Sequence, residues 1–111
     1  MSKVGYKKKT VKVENRDFLV QVVPFDNGNF ISITEGIEKI GAMIVSIGSG
    51  VRISSATVIP SKSDSFFLKM VSERVASTTN GICVTSLNIQ KELELETMKV
   101  VMNEIMEIVR Q

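Results

Sequence analysis

Gly41-Ala42-Met43-Ile44-Val45-Ser46-Ile47-Gly48-Ser49-Gly50-Val51-Arg52-Ile53-Ser54-Ser55-Ala56-Thr57-Val58-Ile59-Pro60 is the stretch on which the fold turns. Two runs rich in Val and Ile flank Gly48-Ser49-Gly50, and Pro60 closes the second. That pattern predicts strands over 41–47 and 51–59 joined by a tight turn. On the first strand Met43, Val45 and Ile47 form a strongly apolar set, and Ala42, Ile44 and Ser46 an intermediate one. From Ile40 to Ala56 the only charged residue is Arg52. A sheet face bathed in water would carry more Lys and Glu, so both faces are expected to be covered.

Upstream, Lys7 to Glu14 is β-compatible, with Val11 and Val13 on one face, and Asn15-Arg16 suits a short turn. A second strand is expected from Asp17 to Phe25, ended by the turn Asp26-Asn27-Gly28-Asn29, where Asn and Gly tolerate positive φ. A third runs from Phe30 to Thr34, again with an intermediate set in Phe30, Ser32 and Thr34. Short links between neighbouring strands predict an antiparallel meander.

Downstream the period changes. Ser61 and Asp64 form an acidic variant of a capping box, and Asn80-Gly81 is a natural helix stop. The helix between them is expected to turn Phe66, Phe67, Met70, Val71 and Val75 inward, with Arg74 inside the same arc. Ile82 to Leu87 predicts a central sixth strand, with Cys83 as a small buried apolar residue. A last helix spans about Leu93 to Val109. Met98, Val101, Met102, Ile105, Met106, Ile108 and Val109 fall in one arc of roughly 160°. Lys99, Asn103, Glu107 and Arg110 lie opposite. The expectation is an α+β fold: a six-stranded antiparallel sheet with two helices on one face, in the order β-β-β-β-β-α-β-α. The second sheet face then lacks a cover of its own, and a second subunit is the simplest one.

The 111 residues suggest a single domain spanning 1–111, with residues 1–6 as a flexible basic N-terminus. Residues 1–16 carry six basic side chains against Glu14, a net of +5, and the rest of the chain has eight basic and eleven acidic side chains, a net of −3. Lys7-Lys8-Lys9 could touch nucleic acid, but no aromatic platform is interleaved with it, so nucleic acid is a poor expectation and guarding of an edge strand a better one. No apolar run reaches the length of a membrane span, and the basic start lacks the apolar core of a secretory signal. Cys83 is the only cysteine, which fits a reducing compartment, and the chain has no His. Ser-His-Asp and Cys-His catalysis are therefore excluded, and a zinc site is disfavoured. Glu92, Glu94 and Glu96 complement the dipole of the last helix better than they make a cation site. No cofactor or metal and no catalytic residue is expected, and the chain is not expected to be an enzyme.

The segments Glu35-Gly36-Ile37-Glu38-Lys39-Ile40-Gly41-Ala42-Met43-Ile44-Val45-Ser46, Ala56 to Val75, and Glu96-Thr97-Met98-Lys99-Val100-Val101-Met102-Asn103-Glu104-Ile105 together make the chain resemble the proteasome assembly chaperone 3 family. These are packing and turn motifs that span about Asp17 to Val109. The resemblance implies a cytoplasmic chaperone that binds proteasome α-subunits and assists α-ring formation, as a homodimer or as a heterodimer with a related chaperone chain. The chain departs from the family in having only Gly48-Ser49-Gly50 where members often carry a longer acidic loop. Arg110 stands where a hydrophobic-Tyr-X ending would need Tyr, so no pocket-inserting tail is expected. Partner contacts are expected at the rim residues Arg52 and Lys62 and at Arg74. A roadblock or longin-like scaffold dimer is the competing reading, although such domains usually begin with a helix where this chain reads as strand.

Overall fold

A computed structural model describes residues 5–110. The expected flexibility of residues 1–6 falls largely on residues 1–4, outside the described residues, and Gln111 also lies outside them. Tyr6 is placed, its hydroxyl donating to Gln21 Oε1 at 2.6 Å.

Six strands and two helices follow the expected order. They are β1 (Lys7–Val13), β2 (Arg16–Phe25), β3 (Gly28–Thr34), β4 (Ala42–Ser49), β5 (Arg52–Ile59), α1 (Ser65–Thr79), β6 (Ile82–Asn88) and α2 (Leu95–Arg110). In space the strands lie β1-β2-β3-β6-β4-β5. The sheet is mixed, which corrects the purely antiparallel expectation: β6 enters between β3 and β4 and runs parallel to β3. The reason is local. Helix α1 carries the chain back along the sheet after β5, so β6 must start again in the direction of β5. The seven residues from Glu35 to Gly41 leave a gap one strand wide between β3 and β4, which β6 fills.

Both helices lie on one face, α1 over β4 and β6 and α2 over β1 and β2. The core between helices and sheet contains Phe18, Val20, Ile31, Ile33, Phe67, Val71, Val75, Val101 and Ile105, each at most 1% exposed. Gly48 lets α1 approach β4: a Cβ there would meet the Ala76 carbonyl oxygen at 2.4 Å. Helix α1 stops as expected, with Asn80 left-handed at φ 52°, its N–H donating to the Ser77 carbonyl and the Gly81 N–H to that of Ala76.

Three sequence expectations change here. The N-cap of α1 is Asp64, not Ser61, although the Ser61 hydroxyl accepts from the Asp64 N–H at 3.0 Å. The buried arc of α1 centres on Leu68, Val71 and Val75, so Phe66 is 65% exposed and Arg74 is exposed. On β4 the strongly apolar set is not the buried one. Ile44 and Ser46 point into the core, and Met43, Val45 and Ile47 point away from the helices. Ser46 tolerates full burial because its hydroxyl pairs with that of Ser55 at 2.8 Å.

One ion pair, between a half-buried guanidinium and a buried carboxylate, ties the sheet to the start of α2. Arg16 meets Glu35 side by side: Nε donates to Oε2 at 2.8 Å and the guanidinium NH2 to Oε1 at 2.6 Å. The guanidinium also donates to the carbonyls of Lys91 at 2.9 Å and Glu92 at 3.0 Å, and Glu35 Oε1 accepts from the Gln90 N–H at 3.0 Å. The Arg16 hydrogen bond holds the Glu35 carboxyl below its ordinary range, and the Gln90 amide adds to this against the cost of burial. The Arg16 guanidinium itself is held more strongly protonated by Glu35.

Candidate interaction surface

The helix-free face of the sheet can be built row by row from the strand register. One row reads Val23, Phe30, Val84, Val45, Ala56 across β2, β3, β6, β4 and β5. The next reads Gln21, Ser32, Ser86, Met43, Ile59, and the row on the other side pairs Ile82 with Ile47 and Ile47 with Ser54. Across β3, β6, β4 and β5 the only charged residue is Arg52, at the start of β5. Isolated exposed apolar side chains are ordinary, but a continuous uncharged face is not. The loop from Glu35 to Gly41 adds Ile37, 72% exposed, and Ile40, 66% exposed, with the charged Glu38 and Lys39 between them, Glu38 accepting from Gln21 Nε2 at 3.4 Å. Its backbone is pinned there. The Gly41 N–H donates to Ser86 Oγ at 3.1 Å, and Asn88 Nδ2 donates to the Ile37 carbonyl at 3.2 Å.

The two edges of the sheet differ. Strand β1 carries Lys7, Lys8, Lys9 and Lys12 in seven residues, the usual protection of an edge strand. Lys9 is paired with Glu104 of α2, a hydrogen bond that raises its pKa. Strand β5 is exposed along all eight residues and has no lysine and no proline.

The three expected contact residues separate. Arg52 opens β5 and Lys62 follows its far end, so both border the β5 edge, and both are exposed. Arg74 does not join them. Glu73 faces β5, accepting the Ser55 hydroxyl at 2.6 Å, and Arg74 lies about 100° further around the helix. The β5 edge as a surface was missed in the sequence, because strand order, and so which strand is an edge, is not written in any local pattern.

Other features are structural. Met102 and Met106 are buried in the core and Met98 packs against it. Burial pushes the Cys83 thiol up, away from reactivity. A concavity of about 780 Å³ lies between the β2–β3 turn, the β4–β5 turn and the C-terminal ends of both helices. Its charged lining residues are Lys7 and Asp26. Among the described residues no cluster of His, Cys, Asp and Glu could hold a metal ion, and no helix is long and apolar enough to cross a membrane.

No family model matches the chain, and no curated protein matches it in sequence. The fold is similar to that of a solved structure, a chaperone complex for yeast 20S proteasome assembly. The TM-score is 0.59 at 10% identity, and the match covers 96% of this chain and 91% of that one. The likeness is one of fold.

Proposed function

We propose that the chain is an assembly chaperone for proteasome α-subunits, working as one half of a dimer and acting by binding, without bond chemistry. The observation that carries the reading is the helix-free sheet face, uncharged across β3, β6 and β4, on a fold like that of a 20S proteasome assembly chaperone. Stable interfaces bury on the order of 800 Å² per partner. Five strands about 4.8 Å apart and about 20 Å long present roughly 500 Å² in plan before the ridges of the side chains are counted. With Ile37 and Ile40 added, this face approaches that size. A second subunit, identical or related, covers it in this reading. The surfaces left free then hold the client.

Sedimentation equilibrium at micromolar concentration is expected to give about twice the 12.3 kDa chain mass. Val45→Asp, which places a carboxylate in the middle of the apolar row, is expected to give monomer. A wild-type monomer across that range would reject the homodimer, and a Val45→Asp dimer would reject this face as its interface.

Purified chain is expected to bind isolated proteasome α-subunits more tightly than the finished particle. Deleting Arg110 and Gln111 is expected to leave that binding nearly intact. The reading fails if no α-subunit binds the chain, alone or together with a related partner chain. If only the tail deletion abolished binding, the chaperone role would stand and the proposed route of contact would fall.

A further inference from the structure

We infer that the outer edge of β5 is a strand-addition site, which takes an extended segment of another protein with acidic residues at both of its ends.

The first ground is that this edge is open. All eight residues from Arg52 to Ile59 are exposed, and none is a lysine, a proline or a glycine. Such an edge presents a free row of backbone N–H and C=O groups, which proteins ordinarily block. The opposite edge of this sheet is blocked by four lysines, so the bare state of β5 is specific to β5. Between Met43 and Ile44 the register with β5 slips, since Met43 pairs with Ile59 and Ile44 with Thr57. The slip leaves Val58 as an extra residue and bends the end of the strand. A regular ladder is thus on offer over residues 52–57.

The second ground is charge. Arg52 stands at one end of the strand and Lys62 just beyond the other. Lys69 lies one helical turn before Glu73, on the side of α1 that faces β5. None of the three forms an ion pair among the described residues. Glu73 already accepts from Ser55. The edge is therefore flanked by free positive charge.

The same charges decide the occupant. If two copies of β5 paired antiparallel, the start of each strand would lie beside the end of the other. Arg52 of one copy would then approach the Lys62 end of its neighbour twice over, and like charges side by side are repulsive. An extended foreign segment carrying Asp or Glu at its ends makes the opposite arrangement. Its backbone adds to the ladder and its alternate side chains rest on Ile53 and Thr57 on the helix side and on Ser54 and Ala56 on the other. This binding needs no particular client and is separate from the α-subunit reading. Peptides are selected or not, whatever the result with α-subunits.

The test is to pan a displayed library of random peptides, about twelve residues long so as to span the six-residue ladder with flanks, on the full chain. Enriched peptides are then synthesised. They are expected to share an alternating β-branched or aromatic centre with acidic flanks, and to slow amide exchange along residues 52–57. Arg52→Glu with Lys62→Glu is expected to weaken them by about tenfold or more and to turn selection toward basic flanks. Ala56→Pro and Thr57→Pro form a second arm. Neighbouring residues of a strand point their N–H groups to opposite sides, so one variant disturbs the β4 ladder and the other removes only an outward donor. The variant that keeps the wild-type melting midpoint is expected to lose peptide binding. No enrichment over bare support, protection elsewhere than β5, unchanged binding by the charge-reversed pair, or self-association through β5 would each overturn the inference.

Discussion

Glu35→Ala is expected to lower the unfolding free energy by about 1.5–3 kcal/mol, because it takes two charge-assisted hydrogen bonds from a half-buried guanidinium. The Arg16 and Glu35 side chains are 13% and 9% exposed, and each is hydrogen-bonded to backbone of the segment before α2 as well as to the other. Lys12 and Asp17 give the contrast. They are 3.9 Å apart and 75% and 62% exposed, so Asp17→Ala is expected to change stability by no more than about 1 kcal/mol. Urea melts of both variants at pH 7 make the comparison.

The pair also fixes a pH dependence. The Glu35 carboxyl is held below its ordinary value of 4.5, chiefly by the Arg16 hydrogen bond. A carboxyl depressed in the folded state contributes stability that is complete above 4.5 and is lost as the pH falls through the folded value. The stability difference between wild type and Glu35→Gln is therefore expected to be constant from pH 7 to about pH 5 and to shrink below that. Parallel pH profiles of the two proteins would show that this carboxylate is not held by Arg16.

Ile105→Ala carries the second large effect, roughly 2–5 kcal/mol. Ile105 is fully buried between α2 and the sheet, with Met102 and Met106 also buried on the same helix face. Glu107 points outward, and Glu107→Ala is expected to cost within about 0.5 kcal/mol. Equal shifts in denaturant midpoint for the two variants would mean that α2 is seated on a different face.

Local patterns carried much of this fold. Alternation and turn residues placed the strands to within a residue or two, and the apolar arc from Met98 to Val109 phased α2. The lack of charge from Ile40 to Ala56 pointed to a sheet face without a cover. Where two readings competed at the same residues, sequence was weaker. Met43, Val45 and Ile47 are more apolar than Ile44 and Ser46, yet the latter are the buried ones. Two conditions set elsewhere decide this: the Ser55 hydroxyl that satisfies Ser46, and the close packing of Ala76 on Gly48. The helix α1 was phased off by including Phe66, an apolar residue that the first turn leaves in solvent. Arg16 and Glu35 are 19 positions apart and meet only because β2 and β3 pair. Of the candidate contacts, Arg52 opens β5 and Lys62 follows that strand in sequence, whereas Arg74 lies on α1 beyond Glu73.

The strand order has a consequence for how the chain is made. By the time Ile59 has left a ribosome, the strands on either side of the sheet's middle exist, as the pieces β1-β2-β3 and β4-β5, but nothing joins them. The joining strand is β6, residues 82–88, which is synthesised only after α1. Two unsealed sheet edges must wait through the whole of α1, and edges in that condition invite pairing with other nascent chains. A protein of this topology completes its sheet only after α1 has been made. A truncation that stops before Ile82 is expected to leave a three-stranded piece and a hairpin unjoined, instead of a smaller version of the fold.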